Sequence, residues 1–166
     1  SIQSKTVKKY DDNANEIEEY IYSIGGNLSS KTIRGYDKKG NEIEILKYNS
    51  DGGIDLKYTN KFNDKGNKIE STEYYSDNKI KSMIKNKFDA KGNNIESLES
   101  YPDGKMKSKI TSKYDDKGNE IEENNISFRL DGSLESKRTY KYNNKRKKIE
   151  EYHTSFNLNG SSDYKY

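Results

Sequence analysis

Apolar and polar residues alternate along much of this chain with a period of two, the spacing of a strand that turns one face inward. In "IDLKYTNKF", Ile54, Leu56, Tyr58 and Phe62 fall on one side, with Asp55, Lys57 and Lys61 on the other. "IKSMIKNKF" and "MKSKITSKY" repeat the plan, with Ile80, Ile84 and Phe88, then Met106, Ile110 and Tyr114. Only about nine residues separate successive turn signals, too few for ordinary helices, so the pattern predicts a β-meander.

The alternation belongs to a repeat. An aromatic recurs at Tyr10, Tyr36, Phe62, Phe88, Tyr114 and Tyr142, with spacings of 26, 26, 26, 26 and 28. Seven residues after each stands an Ile, at Ile17, Ile43, Ile69, Ile95, Ile121 and Ile149, and a Glu follows every one of them. Between aromatic and Ile lies a turn with Gly40, Gly66, Gly92 or Gly118, replaced by Ala14 in the first copy and Arg146 in the last. A second turn carries Gly26, Gly52, Asn78, Gly104, Gly132 and Gly160. Gly and Asn tolerate the positive φ that a type I turn closed by a G1 bulge requires.

In the last two copies the distance from Ile to the second turn grows by two residues (Ile121 to Gly132, Ile149 to Gly160). An insertion of two keeps each later side chain on its original face. The first strand of each unit carries its own aromatic column, at Tyr22, Tyr48, Tyr74, Phe128 and Phe156, interrupted by Ser100. With three-residue bulged loops at both turns, Tyr48 joins the face of Ile54 and Phe62 and the Ile column lies among the lysines. An even loop at the first turn reverses that assignment, but turn chemistry favours the bulged loops and so places Tyr48 with Ile54 and Phe62.

Composition sets the thickness of the structure. Hydrophobic residues make up 28% of the 166, and 15 of them are Tyr. Such a chain has little with which to build a thick core. The net charge of +3, from 31 basic and 28 acidic residues, leaves little self-repulsion to expand the chain, so regular apolar spacing favours order over disorder. The fold expected is all-β: a repeat-built antiparallel meander of about 12 strands in one continuous, twisted or coiled, largely single-layer sheet, about 58 Å wide at the usual strand spacing. A closed barrel is the less favoured outcome. The chain reads as a single repeat domain, 1–166, and as a fragment of a longer array, since it opens on Ser1 without Met and stops at Tyr166 within a strand.

The segments "YDKKGNEIE" (36–44) and "YDDKGNEIE" (114–122) resemble the YD repeat, the Tyr-Asp-x-x-Gly unit of the Rhs family, with Phe-Asp at 88–89 and Phe-Asn at 62–63. The resemblance covers nearly the whole chain. It implies a bacterial β-sheet array, often secreted or surface-associated and in some members wound into a shell. The Lys- and Glu-rich strands are also similar to the free-standing single-layer sheet of the Borrelia outer surface lipoproteins.

Several constellations invite chemistry. The Glu column against Lys-rich strands reads as cross-strand ion pairing, with Lys also deterring edge association. Glu120 and Glu122 share a face at i, i+2 spacing, but six repeated copies argue against one catalytic pair, which needs two carboxylates in different environments. "DDKGNE" (115–120) departs from a calcium loop because Lys117 occupies the third ligand position. His153 is the only histidine, and with no Cys it completes no metal site. The sequons at Asn27, Asn125 and Asn159 matter only in a eukaryotic secretory host. No catalytic, metal or cofactor residue is therefore assigned, and the expectation is a protein that is not an enzyme.

The aromatic columns remain. Tyr suits a half-buried sheet with little core, since its hydroxyl reaches water. Tyr22, Tyr48 and Tyr74 are also candidate ligand-stacking residues for sugars. Nucleic acid is not expected as a partner, because evenly mixed charge provides no basic groove. No stretch is long and apolar enough to span a membrane as a helix, and no signal peptide is visible. The function expected is a non-catalytic bacterial surface or secreted scaffold of adhesion type, extracellular or on the cell surface. The alternatives are a cytoplasmic interaction module of antitoxin or immunity kind, or a polysaccharide-binding module. Protein or polysaccharide is the partner expected, with oligomers formed by sheet-edge pairing.

Overall fold

The computed structural model of this chain describes residues 4–157 and 162–165. Gly160, Asn159 and Tyr166, singled out above, lie outside the described residues. All the regular structure described is β: β1 Lys5–Tyr10, β2 Glu16–Tyr22, β3 Leu28–Tyr36, β4 Glu42–Tyr48, β5 Ile54–Phe62, β6 Lys68–Tyr74, β7 Ile80–Phe88, β8 Asn94–Ser100, β9 Met106–Tyr114, β10 Glu120–Phe128, β11 Leu134–Tyr142, β12 Lys148–Phe156 and β13 Ser162–Lys165. The hydrogen-bonded strand order is the chain order, so the antiparallel meander expected from the repeat is what forms. The described residues hold one strand beyond the dozen expected, the short β13. Two compact units are present, residues 1–81 and 82–166.

Among the described residues no hydrophobic side chain is buried; only Thr32, Asn60 and Thr72 are. Stability therefore rests on backbone ladders and cross-strand pairs. Each turn is built alike. In the first unit the Asp37 N–H donates to the Asn41 carbonyl (2.9 Å) and the Gly40 N–H to the Asp37 carbonyl (3.0 Å). In the second unit Asp115, Gly118 and Asn119 do the same. The third loop residue sits at positive φ: +81° at Gly40 and +78° at Gly118, but also +64° at Ala14, +64° at Asn78 and +56° at Arg146. The slots expected to need Gly thus keep their backbone conformation where the residue is not Gly.

The facing of the strands departs from the simple alternation. After each first turn a bulge removes one residue from the pairing. Tyr36 lies across from Glu42 and Gly35 from Glu44, so Ile43 is passed over. Ile17, Ile69, Ile95, Ile121 and Ile149 are passed over in the same way. The Ile column is thus a column of bulges, and five of its six members are exposed. A second bulge follows the second turn, at Ser29, Asp55, Lys107 and Glu135.

These bulges correct the face assignment made from the sequence. Tyr48 does lie across from Ile54, as expected, but beyond Asp55 Lys47 faces Leu56 and Ile45 faces Tyr58. Tyr48 stays with Leu46, which faces Lys57, on the side opposite the stripe of Tyr58 and Phe62. One extra residue inverts the parity that a bulge-free strand would keep. The two-residue insertion behaves as expected: beyond it, at the end of the lengthened β10, Phe128 lies across from Leu134 as Tyr48 does from Ile54.

Candidate functional site

The Asp of the repeat works as a turn anchor. Asp37 Oδ1 accepts from the Lys39 and Asn41 N–H groups (2.8 and 2.9 Å), and Asn41 Nδ2 donates to Asp37 Oδ2 at 2.8 Å. Asp11, Asp89 and Asp115 are held identically. Hydrogen bonds from the Asn side chain, then from the backbone, lower the pKa of each of these four carboxyls. The Asp115 oxygens that a cation would seek are already engaged.

The Glu column is paired across strands, as expected. Lys9 meets Glu18 at 2.8 Å and Lys61 meets Glu70 at 2.6 Å in the first unit; Lys113 meets Glu122 at 2.9 Å and Lys141 meets Glu150 at 2.7 Å in the second. The exception is Glu44, whose partner across β3 is Gly35. His153 lies across from Arg138 and Lys165, with Ser155 Oγ 3.3 Å from its Nε2.

Glu120 and Glu122 do not act as a pair, contrary to the i, i+2 reading, because the bulged Ile121 intervenes. Glu122 serves Lys113 and Asn124, whereas the charge of Glu120 acts on Glu123. Burial first, then Glu120, raises the Glu123 pKa. The same two carboxylates occur in the first repeat as Glu16 and Glu19, but there Lys8 (2.8 and 3.4 Å) and Arg34 bridge them. Ser112 and Tyr140 stand where Lys8 and Arg34 stand, two residues before the repeat's aromatic. The acid pair of β10 therefore lacks those two cations.

Tyr22, Tyr48 and Tyr74, the stacking residues read from the sequence, are half-buried ends of β2, β4 and β6 in the first unit. The register places a lysine directly across from each: Lys5 from Tyr22, Lys31 from Tyr48, Lys57 from Tyr74. The Lys5 ammonium lies 5.7 Å from the Tyr22 ring centre and that of Lys57 5.2 Å from the Tyr74 ring. Lys31 instead covers Tyr20 at 5.3 Å, leaving the Tyr48 ring without an ammonium over it among the described residues. The sequence reading missed these lysines, although they recur every 26 residues. In the second unit the same position holds Met83 across from Ser100, so the break in the aromatic column removes the cation too.

No family model matches this chain, and none of the curated proteins does. Among solved structures it is similar to a porin-like protein from Bacteroides uniformis, at 15% identity over 86% of this chain and 56% of that one, with a TM-score of 0.44. It is also similar to a protein of unknown function from Bacteroides fragilis, at 14% identity over 96% of each chain, TM-score 0.27. A third is the TcdB2–TccC3–Cdc42 structure, at 10% identity over 96% of this chain and 14% of that one, TM-score 0.27. The chain thus spans 56% of the length of the porin-like protein. All three TM-scores are too low to define a shared fold.

Proposed function

We propose that this chain is a non-catalytic repeat scaffold of bacterial surface or secreted type, adhesive in role and built as a YD-repeat-like array. The observation that carries the reading is the sheet without a buried apolar core, in which the same turn and ion-pair contacts recur with the repeat. A structure of that kind gains area with each hairpin and distributes ligand contacts over many of them. The Asp of the repeat supports the YD-repeat reading, because four copies anchor their turns identically.

The test is retention under flow of beads coated with the chain, on glycan-coated and on protein-coated surfaces. Retention above that of beads carrying an inert protein is expected on at least one surface; equal retention on both contradicts the reading. A second reading, a cytoplasmic protein-interaction module, draws on β1, of which five of six residues are exposed.

A further inference from the structure

We propose that the lysine–tyrosine row of the first unit binds a linear anionic polysaccharide bearing an acid group on every second sugar; the inference rests on the adhesive reading above.

The row lies on one face, as the register shows strand by strand. Lys5 faces Tyr22, and Tyr20, two residues before Tyr22 on the same strand, faces Lys31. Lys31 faces Tyr48 as well. Leu46, two residues before Tyr48, faces Lys57, which in turn faces Tyr74. Each step preserves the side of the sheet, because directly opposed residues share a face and so do residues at i and i+2. The result is a diagonal row across six strands, stepping two residues at β2 and at β4, in which cations alternate with aromatic plates.

The cations of this line are available. Among the described residues, Lys5, Lys31 and Lys57 form no ion pair, whereas Lys9 and Lys61 on the same strands are held by Glu18 and Glu70. The lysines of the row rest on tyrosine rings, which orient the ammonium groups; the Lys31 charge also reaches Glu18 and, after the hydrogen bond from Lys9, helps to lower its pKa. The Glu column stands four residues before Tyr22, Tyr48 and Tyr74 on their own strands, and the two charge systems meet at Tyr20, whose hydroxyl donates to Glu18 at 2.6 Å under the Lys31 ammonium.

Spacing selects the ligand. Successive lysines are two strands apart and two residues along the strand, about 9.6 Å across and about 6.6 Å along, or about 12 Å in all. A sugar polymer charged on alternate residues presents acid groups at that order of interval, with the uncharged ring between them free to stack on tyrosine. Tyr48, whose ring has no ammonium over it, is the open plate. A nucleic-acid strand carries a phosphate about every 3.4 Å in duplex geometry, leaving most phosphates without a cation on this row. The acid group is carboxylate or sulfate; both accept hydrogen bonds from ammonium.

The test uses the full chain against immobilised hyaluronan (a carboxylate on alternate sugars), kappa-carrageenan (a sulfate on alternate sugars), neutral dextran and single-stranded DNA, alongside the triple variant Lys5→Gln, Lys31→Gln, Lys57→Gln and the control Lys85→Gln, Lys137→Gln. The expected result is salt-sensitive binding to at least one anionic polysaccharide and none to dextran. The triple variant should bind roughly tenfold more weakly, the scale of three exposed ion pairs lost together, while the control binds normally. Preference between hyaluronan and kappa-carrageenan identifies the acid group. An unchanged triple variant, equal binding to dextran, or tighter binding to DNA overturns the proposal. Circular dichroism of the variants separates lost binding from lost folding. If no polysaccharide binds while beads are still retained on a protein surface, this inference fails and the adhesive reading stands.

Discussion

Tyr36 donates its hydroxyl to the main-chain carbonyl of Glu16 at 2.9 Å, reaching 20 residues back to the strand of the preceding hairpin. That carbonyl precedes the bulged Ile17. Tyr114 repeats the contact on Asn94, again at 2.9 Å and next to a bulged Ile. Where the aromatic is Phe62 and has no hydroxyl, Asn60 supplies the donor, with Nδ2 3.0 Å from the Glu42 carbonyl. Two side-chain solutions thus satisfy one recurrent backbone acceptor.

The latch gives the first prediction. Tyr36→Phe should destabilise the chain by about 0.5–1.5 kcal/mol, the usual net worth of one hydrogen bond, and Asn60→Ala should cost at least as much. Urea unfolding midpoints check both. A Tyr36→Phe variant as stable as the parent would show that the carbonyl needs no partner.

Backbone conformation gives the second. Ala14 and Arg146 occupy the left-handed region at φ +64° and +56°, which costs a residue with a Cβ about 1–2 kcal/mol relative to Gly. Ala14→Gly and Arg146→Gly should each raise stability by about 1 kcal/mol, within that range. Gly40→Ala and Gly118→Ala should lower it. Thermal midpoints that move the other way would contradict the turn geometry.

The gap in the Lys column gives the third. Gly35 faces Glu44, and a Cβ placed there would sit 3.6 Å from the Glu44 Cβ, an ordinary contact. Gly35→Lys should stabilise by about 0.5–1 kcal/mol through strand propensity, with a smaller share from the new ion pair. That share should fade with added salt. Comparing Gly35→Lys with Gly35→Thr at low and high salt separates the two contributions.

Acid titration gives the fourth, with two signs. The carboxyls of Asp11, Asp37, Asp89 and Asp115 have lowered pKa values in the fold. Their contribution is complete above the unfolded value near pH 4 and is lost as pH falls through the folded values. Glu123 acts oppositely. Ser112 and Tyr140 face it across the strands and Glu120 lies on its own strand. Its raised pKa means that the fold favours the protonated form. Stability should therefore rise slightly as pH falls from neutral towards the ordinary Glu value near 4.3, then drop as the Asp anchors protonate. Glu123→Gln should remove the rise, leaving a flat profile down to the acid limb. A rise that survives the substitution would assign it to another group.

Much of this architecture was legible in the residues. The turns, the strand positions, the 26-residue period and the harmless two-residue insertion follow from Gly and Asn placement and from apolar spacing. The parity of the first strands did not. Bulged positions are filled by Ile in one column and by Ser29, Asp55, Lys107 or Glu135 in the other, residues that do not announce a bulge by type. Counting through them with period two puts Tyr48 on the wrong face. The lysines of the proposed row were in plain sight at 5, 31 and 57, but their meaning depends on what lies across from them. Only the register, bulges included, sets a cation opposite each tyrosine.

The decisive measurement is therefore the register itself, read from interstrand nuclear Overhauser effects of the intact protein. The bulged pairing predicts cross-peaks joining Lys31 with Tyr48 and Lys57 with Tyr74. Cross-peaks joining Lys31 with Lys47 and Lys57 with Glu73 as the opposed residues would mean no bulge at Ile43 or Ile69, tyrosines turned to the other face, and no row.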